Sequence, residues 1–302
     1  MRVIVISGPT CSGKTEFAIK TAIENGAEII SCDSVQVYRG MDIGSAKASP
    51  QDMERVRHHL IDVADVSEKF DVANYVEIAK KALSDIAKRG KNAVVVGGSG
   101  FYLKSWFCAV ADEIDVSQEI KLRCQRLAAE GAQALAQELL KISPDARGLI
   151  DLNNPRRTQN ALQRCLATGK SVSELLDRFS KLPCPYGDFT PEFFLLDRPD
   201  AEMSQRIKLR TKSMLESGLV EETRGLIRLG IKSNPAARNA IGYKQAISYI
   251  ESGRGDIESL ADEIEIQTMS LVRRQRKFFR TQKVFQKYIT PVKSGGATEP
   301  LV

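Results

Sequence analysis

VIVISGPTCSGKT, residues 3–15, sets a short β-branched run against the pattern G-x-x-x-x-G-K-[ST], met at Gly8, Gly13, Lys14 and Thr15. Glycines at these places let backbone N–H groups turn toward an anion at a helix N-terminus. The lysine adds a point charge over the phosphates, and the Thr15 hydroxyl can reach Mg²⁺. The stretch therefore predicts strand, loop and helix in succession. Gly8, Pro9, Thr10, Cys11, Ser12, Gly13, Lys14 and Thr15 form the expected diphosphate- or nucleotide-binding cradle.

AEIIS (27–31) and NAVVVGG (92–98) are short, apolar and β-branched, and they alternate with helical patterns beginning near Lys14 and Val72. Asp71 is placed to cap the second of these helices. Continuous apolar strands separated by helices predict a parallel sheet covered on both faces. From about residue 115 the character changes. VSQEIKLRCQRLAAEGAQALAQELLKI reads as two helices broken at Gly131, with Pro144 ending the second. NPRRTQNALQRCLATG gives another helix, Pro155 at its first turn and Gly169 past its end. SVSE, 171–174, is a capping box for the next. KLPCPYGDFTP is a Pro-rich connection, and FFLLD, 193–197, returns to strand character. Helices then dominate from Ala201 to about Arg280. The expected class is α/β, a P-loop NTPase-like parallel sheet core with a helical insertion and a helical C-terminal segment. Residues 1–114 and 191–290 make the core, 115–190 the insertion and 291–302 a flexible tail.

At 302 residues, 42% hydrophobic and 27% charged, the chain can bury one α/β core plus a smaller lobe. No window approaches the ~18 apolar residues of a membrane span, and the opening run leads straight into a phosphate loop, which argues against a secretion signal. The six cysteines, at 11, 32, 108, 124, 165 and 184, show no C-x-x-C pair or metal-ligand spacing. They are expected as reduced thiols of a cytoplasmic enzyme. Net charge is +6, and between Arg198 and Lys287 there are 18 Lys/Arg against 11 Asp/Glu. Such a surplus suits either a polyanionic partner or an ordinary solvated surface. Nothing demands more than a monomer.

A P-loop protein that splits a nucleoside triphosphate also carries an acidic residue at the end of a second apolar strand, to hold Mg²⁺. Here AVVV runs into GGSGFY, where that carboxylate is missing. Asp33, after AEIIS, supplies an acid at another strand end, and strand carboxyl ends face the ligand crevice. It can serve as general base toward a weak nucleophile or cap the next turn. Ser99, between Gly98 and Gly100, can approach a phosphate or be a plain turn serine. Met203, Ile207, Arg210 and Met214 share one helical stripe. Arg210 then points either into a cleft that must hold an anion or out to the rim. Arg273, Arg276, Lys277 and Arg280 share another face, open to a phosphate-backbone role or a structural one.

GPTCSGKT, DSVQVYRGMDIGSAK (33–47), HHLID (58–62), VVVGGSGFYLKS, AIGYKQA (240–246) and RRQRKFFR (273–280) closely resemble the bacterial tRNA dimethylallyltransferases. The resemblance covers nearly the whole chain. It implies that the loop holds the diphosphate of dimethylallyl diphosphate, with Mg²⁺ at Thr15. The prenyl group then passes to N6 of the adenine beside the anticodon of tRNA, a base turned out of its stack. It also implies Asp33 as general base, with Ser99 as a further catalytic position and Arg210 as the catalytic arginine on the diphosphate side. The tRNA contacts it implies are Asp33, Ser34, Val35, Gln36, Ser99, Lys121, Arg156, Arg157, Thr158, Gln159 and Asn160. Ser99 replaces the family's usual threonine and keeps the hydroxyl. Asn160 stands for a common arginine, Phe278 for a tryptophan and Met269 for an arginine. No eukaryotic zinc-finger extension is seen, which suits a bacterial form.

Three rival activities fit parts of the pattern: a P-loop small-molecule kinase, an adenylate isopentenyltransferase acting on free nucleotide, and an RNA-binding NTPase switch. The missing strand-end carboxylate counts against the first, the long insertion against the second and the absence of γ-phosphate-sensing loops against the third. The sequence does not distinguish a dimethylallyl donor from a hydroxylated one.

Overall fold

A computed structural model of the chain describes residues 1–110, 112, 114–187, 190–253 and 255–286; the expected tail at 291–302 lies outside them. The apolar runs become β1 (Val3–Ser7), β2 (Ala27–Ser31) and β4 (Asn92–Gly97), with a two-residue β3 (His58–His59) and a later β5 (Glu192–Leu195). All pairings are parallel, in the order β3-β2-β4-β1-β5. Side chains alternate across the sheet. Val3, Val5, Ile30 and Val95 enter one core with Tyr75, Ala79 and Ile86 of α3 (Val72–Lys88). Ile4, Ile6, Ile29 and Val94 enter the other, with Ala18 and Ile19 of α1 (Lys14–Glu24). Both faces are buried, which is why the strands read as unbroken apolar runs. The short helices α2 (Pro50–Arg55) and α4 (Gly100–Lys104) complete this half of the chain.

Asp71 caps α3, its Oδ1 accepting the Ala73 and Asn74 amides at 2.9 and 3.3 Å. Buried Glu28 on β2 accepts two hydrogen bonds from Arg89, at 3.0 and 2.6 Å, and pairs with His59 at 2.7 Å. The Arg89 bonds chiefly hold its carboxyl down at about 2. A depressed carboxyl stabilises the fold fully above its ordinary value near 4.5, and this stability is lost as pH falls through about 2. Glu28→Ala leaves Arg89 and His59 without their partner. Since Arg89 is part-exposed, the expected loss is at the low end for a broken buried pair, about 3 kcal/mol, read by urea unfolding at neutral pH. The difference from the parent should shrink in acid.

The chain divides into two compact units, Met1–Cys108 with Cys184–Val302, and Ala109–Pro183. The expected cuts at 115 and 190 fall somewhat C-terminal of these. The second unit holds α5 (Gln118–Glu130), α6 (Ala132–Ile142), α7 (Pro155–Thr168) and α8 (Val172–Ser180). Its own core contains Cys124, Leu135, Leu139, Leu162 and Cys165. Gly131 separates α5 from α6 at φ 119°, and Gly169 ends α7 at φ 67°. The Ser171 capping box opens α8, with Glu174 accepting the Ser171 amide at 2.8 Å.

In the first unit the chain continues through α9 (Asp200–Glu216), α10 (Leu219–Arg228), α11 (Pro235–Arg238), α12 (Tyr243–Ser252), α13 (Ile257–Thr281) and α14 (Lys283–Gln286). Met203 and Ile207 of α9 pack on Val272 and Met269 of α13 and on Cys11, so this helix pair lies against the phosphate loop. Arg276 fixes α13 there. It bonds Asp197 at 2.8 and 3.1 Å, pairs with Asp200 and donates to the Arg198 carbonyl at 2.6 Å. Of the two roles open to it, the structural one is realised, while Arg273 and Lys277 on the same helix are exposed. All six cysteines are free. Among the described residues no helix is long and apolar enough to cross a membrane.

Candidate active site

The loops after β1, β2, β4 and β5 gather at the carboxyl edge of the sheet, around the central β4-β1 pair. Close backbone approach requires glycine at two of these exits. A Cβ on Gly8 would stand 2.0 Å from the Leu196 carbonyl oxygen, and one on Gly97 would stand 1.9 Å from that of Cys32. Between Gly8 and α1 the loop carries Cys11 at φ 65°, a left-handed conformation costly for a residue with a side chain. The N–H groups of Gly13, Lys14 and Thr15 have no backbone acceptor among the described residues. They present an open anion site at the start of an eleven-residue helix.

Cations converge on this loop from α9 and the residues before it. Arg198 Nε donates to the Ser12 carbonyl at 3.0 Å, Arg206 Nε to the Cys11 carbonyl at 2.8 Å, and Arg210 Nη1 to Thr10 Oγ1 at 3.1 Å. Residues 198, 206 and 210 thus grip 12, 11 and 10 in turn, with Glu202 bracing Arg198 at 2.5 Å. Arg210 points into the cleft rather than to the rim. Lys14 Nζ donates to the Pro9 carbonyl at 2.5 Å. Burial, reinforced by the charge of Arg210, pushes its ammonium down to about 8. An anion bound by charged Lys14 should therefore bind more weakly as pH rises above about 8. Titrating inorganic diphosphate calorimetrically across this range should show affinity falling by up to about tenfold per pH unit, the limit for one linked proton. In Lys14→Met this component of the slope should vanish.

Asp33 stands across the sheet edge after β2. Its Oδ1 accepts the amides of Val35 and Gln36 at 2.8 and 3.3 Å, so it does cap the following turn. Its second oxygen has no hydrogen-bond partner among the described residues and remains for another task. Ser99 Oγ accepts the Ser34 amide at 2.9 Å and donates to Ser34 Oγ at 3.1 Å, tying the β4 exit to the β2 exit. Gln36 is held from both ends of its amide. Ser31 donates to Oε1 at 3.0 Å, and Nε2 reaches the Ser45 and Ala46 carbonyls at 3.4 and 3.3 Å. The loop carrying those carbonyls is anchored by Glu222, whose carboxylate accepts the Ile43 amide at 2.9 Å and the Tyr243 hydroxyl at 2.7 Å.

Lys14, Thr15, Asp33, Ser99, Arg206 and Arg210 all line one cavity of about 1040 Å³ in the first unit. Ile207, Met214, Ile264, Leu271 and Phe278 give the same cavity an apolar wall. Among the described residues no group of three or more His, Cys, Asp or Glu could cage a metal. The other expected contacts belong to the second unit. Lys121 on α5 is exposed, as are Arg156, Arg157 and Asn160 at the start of α7. Gln159 is half-buried. Thr158 is buried, and its hydroxyl is used on the Leu152 and Asn154 carbonyls at 3.2 and 3.1 Å. It therefore shapes this turn rather than presenting a free donor.

The family model described as IPP transferase matches residues 36–282. The chain belongs to the IPP transferase family, and it is an enzyme. A tRNA dimethylallyltransferase of Opitutus terrae is 46% identical over 93% of this chain and 90% of its own length. The tRNA isopentenylpyrophosphate transferase of Bacillus halodurans superposes with a TM-score of 0.66 at 31% identity, covering 96% of this chain and 88% of its own. A eukaryotic dimethylallyltransferase acting on tRNA gives 0.83 at 26% identity, over 96% and 73%.

In this family member Arg198, Arg206 and Gln275 join the site without having been singled out in the sequence. Gln275 Oε1 accepts the Thr10 amide at 2.9 Å and its Nε2 donates to the Gly98 carbonyl at 3.0 Å, linking the phosphate loop to the turn that bears Ser99. It stood within the quoted RRQRKFFR stretch, but nothing local marks a glutamine as a bridge. The arginines carried a weak signal, the four-residue spacing of 198, 202, 206 and 210.

Proposed function

We propose that this enzyme transfers a dimethylallyl group from dimethylallyl diphosphate to N6 of the adenine adjacent to the anticodon in tRNA, releasing diphosphate. The relatives' names support the reaction class. The observation that carries the chemistry is the combination in one cavity of an anion cradle, an apolar wall and one carboxylate with a free oxygen. An apolar wall directly beside the phosphate cradle suits a prenyl tail carried on the diphosphate.

The cradle amides, Lys14 and Arg210 hold the diphosphate and stabilise the charge that grows on it as the allylic C–O bond breaks. The amine of adenine is a weak nucleophile. Its lone pair forms the new C–N bond, and Asp33 takes the proton that N6 must lose. Ser99 orients the strand-end turns on either side of the reacting carbon. The donor set suits Mg²⁺, because the Thr15 hydroxyl is exposed in the cavity and Mg²⁺ is usually held by few protein oxygens plus substrate phosphates. When bound, the ion would add charge neutralisation to the leaving diphosphate. Lys121, Arg156, Arg157, Gln159 and Asn160 on the second unit are proposed to meet the anticodon stem-loop, with Ser34, Val35 and Gln36 around the flipped base. A tRNA substrate sets the work of the enzyme in the cytoplasm.

The test is a product assay. The protein is incubated with dimethylallyl diphosphate, Mg²⁺ and either unmodified tRNA or AMP, and digests are analysed by mass spectrometry. N6-prenylated adenosine from tRNA is the expected result. Product from AMP alone would point to a nucleotide-modifying enzyme, and ATP consumption without prenylation to a kinase.

A further inference from the structure

Thr211 on α9 behaves unlike the other threonines that lie beyond the first turn of the described helices. The hydroxyls of Thr21, Thr168, Thr223 and Thr268 each donate to the carbonyl four residues back, all at 2.7 Å, and that of Thr158 does so at 3.1 Å. A helical threonine ordinarily satisfies itself in this way. Thr211 is 2% exposed, yet its hydroxyl has no partner among the described residues. Among the described residues, the side-chain oxygens sealed from solvent without a partner are those of Ser12 and Tyr38, so the Thr211 oxygen is not sealed. The residue lines the cavity, next in sequence to Arg210 and on the same buried stripe as Ile207 and Met214. An unpaired hydroxyl thus interrupts the apolar wall beside the cradle. Such a group is costly against a hydrocarbon tail and useful against a tail that carries its own polar atom.

We propose that this enzyme also uses a five-carbon allylic diphosphate hydroxylated at a terminal carbon of its tail, with Thr211 as the residue that recognises the hydroxyl. The inference rests on the prenyl-transfer reading above. The chemistry is unchanged: the C–O bond to diphosphate breaks, N6 forms the C–N bond, and its proton goes to Asp33. The donor's hydroxyl takes no part in bond making. Its place is against the Thr211 oxygen, and the product is adenosine carrying a hydroxylated prenyl group on N6.

The experiment compares kcat/KM for dimethylallyl diphosphate and its 4-hydroxylated form on unmodified tRNA, in the parent enzyme, Thr211→Val and Thr211→Ser. The parent should use both donors within about tenfold of each other. Thr211→Val, nearly isosteric, should lower kcat/KM for the hydroxylated donor about tenfold, the scale of one hydrogen bond. For the unsubstituted donor it should raise the value, since a methyl suits that tail better. Thr211→Ser, which keeps the hydroxyl, should retain use of the hydroxylated donor. Failure of the parent to use the hydroxylated donor while using the other overturns the inference and leaves prenyl transfer standing. So does an equal loss for both donors in Thr211→Val, which would make Thr211 a diphosphate-side residue. No prenylated tRNA from either donor would instead defeat the parent reading.

Discussion

Asp33→Asn is expected to lower single-turnover prenylation of tRNA by at least about 10²-fold, the scale usual for a general base, while filter binding of tRNA changes little. Asparagine is the informative substitution because Asp33 has two separate jobs. Its Oδ1 holds the amides of Val35 and Gln36, and an asparagine oxygen can continue to do so. Only the proton-accepting oxygen is lost. Asp33→Ala removes both functions and should additionally weaken tRNA binding through the loosened 34–36 turn. A normal rate in Asp33→Asn would remove the carboxylate from the mechanism and leave it as a turn cap.

Lys14→Met should cost about 10²–10³-fold in kcat, comparable to losing one donor from a charge-stabilising site, and should also raise KM for the allylic donor. Both parameters are expected to move because Lys14 meets the diphosphate in the ground state and again as charge accumulates on departure. KM for tRNA should stay near the parent value. Lys14→Arg should rescue little, since a broad fork does not replace a point charge where Arg210 already crowds Thr10 and Cys11. Unchanged donor KM in Lys14→Met would contradict the cradle assignment.

Much of this arrangement was legible in the sequence because the signals were local. The strand–loop–helix at residues 3–15, the Asp71 cap, the break at Gly131 and the Ser171–Glu174 box depend on neighbours within a few positions, where residue type alone restricts backbone geometry. Nothing local predicts the two-residue β3, since His58 and His59 have no strand-like pattern and become a strand only by pairing with Ile29 and Ile30. Site residues followed the same division. The loop, Asp33 and Ser99 could be read from their strand ends. Gln275 could not, because its partners Thr10 and Gly98 lie 265 and 177 residues away. Arg276 was ambiguous for the same reason. Its spacing fits a phosphate stripe, and only the fold brings Asp197 and Asp200 to it. Thr158 shows the opposite limit: a motif placed it among contact residues, and burial assigned its hydroxyl to the turn.

The proposed reaction requires the loop at residues 8–15 to grip a leaving diphosphate while Asp33 meets the attacking amine. Its most direct test is a crystal structure with a non-hydrolysable thio analogue of dimethylallyl diphosphate and an anticodon stem-loop. The diphosphate is expected on the Gly13–Thr15 amides, the prenyl tail along Ile207, Thr211 and Met214, and an Asp33 oxygen within about 3 Å of adenine N6. An adenine amine directed away from Asp33, or a prenyl tail outside the α9–α13 wall, would contradict it.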